Sequence, residues 1–243
     1  MTRQKTIGLD RIVHLGWLDA AAAAVAEGGN DAQVRERLSR VLDGVLASGV
    51  ERSAQSKTIT VLCRIWATVP AVDVAFRNDA LAVIPQVTAK ERVAVHWAAT
   101  MAAYPFLLGV ATALGRLGEL QGDVSLSHLR RRMTDTWGDR STLPRAVQRV
   151  VRSMIEWGAV KDAPTRGVYV PVARGIHVSG PVAALLLEGL LIGLGRPATA
   201  ADTLIEHPAL FPFKVDVSVR ALARHPRFRL SRQGVGSDIV ELA

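Results

Sequence analysis

Hydrophobic residues recur at helical spacing along most of this chain, and the polar breaks between the runs carry capping signals. Leu9 to Ala26 reads as one helix closed by Gly28-Gly29. Asn30-Asp31-Ala32-Gln33 has the form of a capping box. The helix behind it places Val34, Leu38, Val41, Leu42, Val45 and Leu46 on one face, with Ser48-Gly49 as its end. Ser56 to Val69 supplies a third helix before Pro70, and Val72 to Ile84 a fourth before Pro85. Thr88-Ala89-Lys90-Glu91 is a second capping box and opens a helix to Tyr104. Short connections between such helices predict an antiparallel bundle.

Beyond Tyr104 the pattern changes to three helices followed by alternating strand residues. Phe106 to Leu120 turns Leu107, Val110, Ala111, Leu114 and Leu117 inward, Asp123 to Trp137 forms a second helix, and Ser141 to Trp157 a third. Val147, Val150, Val151, Met154 and Ile155 make the apolar stripe of that third helix. Arg145, Gln148, Arg149 and Arg152 fall opposite, together with Glu156. Val160-Lys161, a turn through Asp162 to Gly167, and Val168 to Val172 predict a hairpin wing with Arg166 near its tip. Trp137 and Trp157, at helix ends, are expected to pack this unit.

The last sixty residues repeat the plan in outline: helices at Pro181–Gly195, Thr199–Phe211 and Asp216–His225, then strands Arg227–Gln233 and Asp238–Leu242 around Gly234–Gly236. The expected fold is therefore mainly α: an N-terminal helical bundle (1–104), a winged helix-turn-helix (105–178) and a second winged-helix-like module (179–243).

Charge sharpens this picture. The net charge of +8 and a pI near 10.5 favour an anionic partner. The excess lies late, with 13 Lys and Arg against 11 Asp and Glu in residues 1–122, and 17 against 11 in 123–243. Arginine and glutamine offer forked hydrogen bonding to phosphates and base edges. The candidate DNA-binding set is Arg131, Arg132, Arg145, Gln148, Arg149 and Arg152, with Lys161 and Arg166 on the wing. Lys214, Arg220, Arg224, Arg227, Arg229 and Arg232 form a second basic patch.

Other chemistry lacks the residues it needs. A single cysteine, Cys63, excludes a disulfide framework and multi-thiolate metal sites, and fits a reducing cytoplasm. The start, Met1 to Lys5 followed by Asp10 and Arg11, has no signal-peptide pattern. Val95 to Gly115 is uncharged and long enough to span a bilayer, but it contains His96, Thr100, Tyr104 and Thr112 and divides at Pro105 into two buried helices. Pro181 to Gly195 is shorter, contains Glu188, and reads as a core helix. The six histidines show no i, i+4 metal pair, and His96 beside Trp97 reads as a core histidine with satisfied nitrogens. Gly193-Leu194-Gly195-Arg196-Pro197-Ala198 matches a dinucleotide fingerprint in letters only, since no β-branched strand precedes it. No phosphate loop is present, Asp73, Asp79 and Glu91 assemble no carboxylate pair, and neither enzyme activity, cofactor nor metal is expected.

Val34-Arg35-Glu36-Arg37-Leu38, Gly49-Val50-Glu51-Arg52-Ser53 with the helix to Val69, and Val95-His96-Trp97 through Tyr104-Pro105-Phe106-Leu107-Leu108 resemble the BrxA family of BREX phage-defence systems. The resemblance covers the first half to two thirds of the chain, while Leu9 to Leu18 departs from that family's glycine-rich start. It implies a cytoplasmic, non-enzymatic DNA-binding component of an anti-phage system; the nearly neutral charge of the N-terminal bundle makes it the candidate surface for other defence-system proteins. Double-stranded DNA is the expected partner. A protein adaptor built on winged helices and a transcriptional regulator are the rival readings.

Overall fold

The computed structural model describes residues 7–46, 52–233 and 237–243. The expected helix end at Ser48-Gly49, the Gly234–Gly236 turn and the first residues of the chain lie outside them. The fold is mainly helical, with eleven α-helices and three small sheets among the described residues.

α1 (Leu15–Ala26), α2 (Asp31–Leu42) and α3 (Arg52–Trp66) pack on one another at the N-terminal end. α2 opens on the expected capping box, in which Asn30 accepts from the Gln33 N–H and Gln33 reciprocates. A 3₁₀ turn, Ala71–Asp73, leads into α4 (Val74–Val83), and a second, Ile84–Gln86, follows it. α5 (Ala89–Ala103) starts on the Thr88–Glu91 box. Pro105 then begins α6 (Pro105–Gln121), and the two helices meet at 119°. The uncharged stretch from Val95 is thus two bent core helices, and among the described residues no single helix is long and apolar enough to cross a membrane.

β1 (Val124–Ser125), α7 (Leu126–Trp137), α8 (Leu143–Glu156), β2 (Val160–Asp162) and β3 (Val168–Pro171) follow α6. β3 is the central strand of an antiparallel sheet ordered β1-β3-β2, with Val124 opposite Tyr169 and Lys161 opposite Val170. β4 (Ile176–Ser179), α9 (Gly180–Leu194), β5 (Thr199–Ala200), α10 (Ala201–Ile205), β6 (Phe213–Asp216), α11 (Val219–Arg224), β7 (Phe228–Gln233) and β8 (Ser237–Leu242) complete the chain. The last sheet is ordered β5-β8-β7. The order helix, two-residue strand, two helices, hairpin therefore occurs twice in outline, each time with the returning strand central, although in the second copy the 3₁₀ turn Pro208–Leu210 and β6 separate the two helices.

Several elements differ from the expectation. Residues 9–14 are not helical; they form an irregular segment bent at Arg11, with Leu9 and Val13 fully buried. α2 stops at Leu42, short of Val45, which is exposed. The predicted helix from Thr199 to Phe211 is a strand, the five-residue α10 and a 3₁₀ turn at Pro208–Leu210, because Pro208 lacks the N–H that a continuous helix needs. β4 and β6 form a parallel pair, Ile176 opposite Phe213, that no local pattern announced.

The core is continuous. Trp97, fully buried on α5, meets the edges of Trp157, Phe211 and Phe213 at ring separations of 5.8, 5.8 and 5.5 Å, joining the bundle to both later helical groups. α9 packs most extensively on α5. Gly189 and Gly193 permit that approach, since a Cβ at either position would stand 2.6 Å from the carbonyl oxygen of Ala98 or Met101. Gly195 ends α9 in the left-handed region. The glycines of the dinucleotide-like letters are a packing contact and a helix cap.

Candidate nucleic-acid interface

α8 is fixed on three sides. Its stripe of Ala146, Val147, Val150, Val151 and Met154 is buried against α6 and α7, with Ile155 half-buried. Pro144 in the first turn needs no backbone partner. α7 precedes it, capped by the Ser125 hydroxyl accepting from the His128 N–H at 3.2 Å and closed by Gly138 at positive φ. Trp137 packs edge-on against Phe106, 5.1 Å between ring centres. β2 of the hairpin packs against α8, and the β2–β3 turn uses Gly167 at positive φ.

The third side is the irregular N-terminal segment, residues 9–14. Val13 N–H donates to the Ser153 hydroxyl at 2.9 Å, and the Trp157 indole donates to the Val13 carbonyl at 2.8 Å. Leu15 N–H donates to Glu156 at 3.0 Å. Arg149 donates to the Asp10 carbonyl and lies 3.7 Å from its carboxylate. Burial, and next Arg11, lower the Arg149 pKa from the ordinary arginine value. Two expectations change as a result. Arg149 is not a free member of the basic face, and Glu156 is an internal acceptor for the first turn of α1 rather than a group awaiting a partner.

What remains outward is a narrower ridge. Arg145 is exposed and makes no ion pair with the described residues. Gln148 is exposed beside Arg130, which bonds the Pro144 carbonyl at 3.3 Å and reaches the Gln148 side chain at 3.5 Å. Arg152 binds both carboxylate oxygens of Asp162, at 3.1 and 2.8 Å, with its guanidinium 6.0 Å above the Tyr169 ring. That pair is half-exposed, so it is worth little and can be traded for a phosphate. Lys161 and Arg166 are exposed on the hairpin, and Arg131 is exposed on α7.

Arg132 goes elsewhere. It lines a groove with Arg116 of α6 on the far side of α7, because residues two apart on a helix point roughly 200° apart and Arg130 is the one facing α8. Sequence reasoning missed Arg130, Arg11 and Asp10. The run Arg130–Arg132 held a signal for the first, but only the α7–α8 packing shows which of the three arginines meets α8.

The second basic patch divides in the same way. Lys214 on β6, Arg220 and Arg224 one helical turn apart on α11, and Arg229 on β7 are exposed and without ion pairs among the described residues. Arg227 instead donates to Glu188 at 2.9 and 2.5 Å and lies 3.9 Å from Asp79. Glu188 is buried on α9; burial raises its carboxyl pKa, and Arg227 offsets part of that rise. Arg232 stands 3.7 Å from Asp238.

His96 is 1% exposed and its Nε2 lies 3.0 Å from Asp19, while Nδ1 has no hydrogen-bond partner among the described residues, contrary to the expectation that both nitrogens are satisfied. Cys63 is buried, which raises its thiol pKa. Among the described residues no three His, Cys, Asp or Glu side chains gather as metal ligands. No family model, curated protein or solved structure matches the chain.

Proposed function

We propose that this chain is a non-enzymatic double-stranded DNA-binding protein that docks through a winged helix formed by α6 to β3, with a second winged-helix-like module in α9 to β8. The observation that carries this reading is the recurring order of helix, short strand, two helices and hairpin, interrupted in the second copy by a 3₁₀ turn and β6, with the last strand of each hairpin central in its three-stranded sheet. In the first copy, the helix preceding the hairpin leaves Arg145 and Gln148 exposed, and the hairpin adds Lys161 and Arg166.

α8 lies in or across the major groove. Arg145 and Gln148 contact bases or phosphates, Arg152 exchanges Asp162 for a phosphate oxygen, and Lys161 with Arg166 meets the adjacent backbone. The resemblance to the BrxA family adds a setting in bacterial phage defence. Residues 1–104 serve as the bundle and 105–178 and 179–243 as the two DNA-facing modules, with α5 and the β4–β6 pair joining them.

Fluorescence anisotropy on a duplex over a salt series tests the reading. The triple variant R145A/K161A/R166A binds more weakly, and its log–log salt slope flattens by about 0.9 for each phosphate that is no longer neutralised. An unchanged slope in the folded triple variant removes this face from the interface. Equal competition by duplex RNA of the same sequence shifts the proposed partner away from DNA.

A further inference from the structure

We propose that the groove between α6, α7 and the end of α9 is a docking site for an acidic amphipathic helix of a partner protein. α6 lines it with Leu108, Thr112, Ala113, Arg116 and Leu120, which stand at i, i+4, i+5, i+8 and i+12 and so form one stripe down the helix. From Pro105 to Leu120 the stripe runs about 22 Å, roughly four helical turns. That length suits a helix rather than one small molecule.

The groove encloses about 630 Å³. Met133 and Trp137 of α7 form one wall and Leu194 of α9 closes the other side. Leu120 is 77% and Leu194 41% exposed, so an apolar seam is left facing solvent at its rim. At Gly109 the space beside the helix is taken by Trp137 and Met133 of α7, 3.0 and 3.3 Å from where a Cβ would stand, while the small side chain of Ala113 keeps the stripe low next to it.

Charge selects the occupant. Arg116 and Arg132 both line the groove, both are exposed, and neither has an ion pair among the described residues. No Asp or Glu lines it. Two guanidiniums beside leucines match apolar side chains flanked by carboxylates, whereas a phosphate backbone has nothing to place on the leucine floor. Arg130 and Arg132 point to opposite sides of α7, so the groove and the α8 ridge can be occupied together.

The test uses the full chain and a fluorescein-labelled designed helix of about 18 residues, with leucines at i, i+3 and i+4 and glutamates alongside, about 27 Å long. A twin carries lysine in place of each glutamate. The acidic peptide binds at least about tenfold more tightly than its twin, and the double variant R116E/R132E reverses that order. Leu120→Glu, at an exposed site that folding does not depend on, weakens the acidic peptide about tenfold. Absence of binding, equal binding of the twins, or indifference to R116E/R132E overturns the proposal. A dimer that Leu120→Glu dissociates in light scattering also overturns it, by giving the groove to a second copy. Loss of duplex affinity in R116E/R132E overturns it as well, by giving the groove to nucleic acid.

Discussion

Gly189 and Gly16 are both helical glycines, and the structure gives their replacement by alanine opposite signs. At Gly16 on α1 a new Cβ meets nothing within 4 Å, so helix propensity decides and G16A gains about 0.5–1 kcal/mol. At Gly189 the same propensity gain is opposed by a contact 2.6 Å from a backbone oxygen of α5, which cannot rotate away. Overpacking of this kind costs about 1–3 kcal/mol, and G189A is the less stable protein. Urea midpoints rank the variants above and below the parent respectively. Arg227 offers a second residue-scale case. Removing it strands Glu188, 2% exposed, inside α9, at a cost of about 3–5 kcal/mol for a buried charge without its partner. Burial raises the folded-state pKa of Glu188 above its unfolded value, so the stability tied to its protonated form is present at low pH and lost as pH rises through the folded pKa. R227M accordingly loses more stability at neutral pH than in acid below the ordinary carboxylate pKa of 4.5, and R227M/E188L recovers most of the loss at both. Denaturant titrations at the two pH values measure both effects.

At the scale of elements, the link between α10 and β6 rests on one neutral histidine. His207 Nδ1 accepts from the Ala209 N–H at 3.2 Å and so caps the 3₁₀ turn Pro208–Leu210. The Trp97 indole donates to the carbonyl of Ala209 in the same turn. Burial, with Arg116 adding to it, lowers the His207 pKa from 6.5 to about 4. A depressed histidine pKa gives stability that is present above the unfolded value and lost as pH falls through the interval from 6.5 to about 4. Thermal melts across that interval show the parent falling in Tm, whereas H207N, which keeps an acceptor that does not titrate, changes less. An equal fall in both proteins removes His207 as the cause. The capping boxes of α2 and α5 were legible because donor and acceptor are three residues apart. The sequence pattern reads this turn as part of a longer helix despite the local stop signal of Pro208, because neither the His207 cap nor the Trp97 contact at Ala209 shows in the spacing of apolar residues.

For the whole molecule, the irregular segment 9–14 decides which cations are available. With Leu15 at the start of α1, it clamps Arg149, Ser153, Glu156 and Trp157 from a distance of about 140 positions along the chain. Arg145 and Arg149, one turn apart on α8, therefore have different roles. R149A gives up a charged hydrogen bond to the Asp10 carbonyl and costs about 1 kcal/mol of stability, with little change in the salt slope of duplex binding. R145A leaves stability alone and flattens that slope by about 0.9. Anisotropy and urea titration on the same two proteins separate the roles. The same slope change in both variants would mean that the segment lifts off α8 when DNA binds.

Local chemistry in the sequence determined most helix positions, the amphipathic cut of α8, the hairpin after it and the apolar character of α9, because each depends on residues within about four positions of one another. It determined the pool of cations but not their division. Tertiary packing alone withdrew Arg149 to Asp10, Arg227 to Glu188 and Arg132 to the α6 groove, paired β4 with β6, and gathered three aromatic rings on Trp97. Those are contacts between residues far apart in the chain, fixed by which surfaces bury one another, and no periodicity of one segment encodes the partner it will meet.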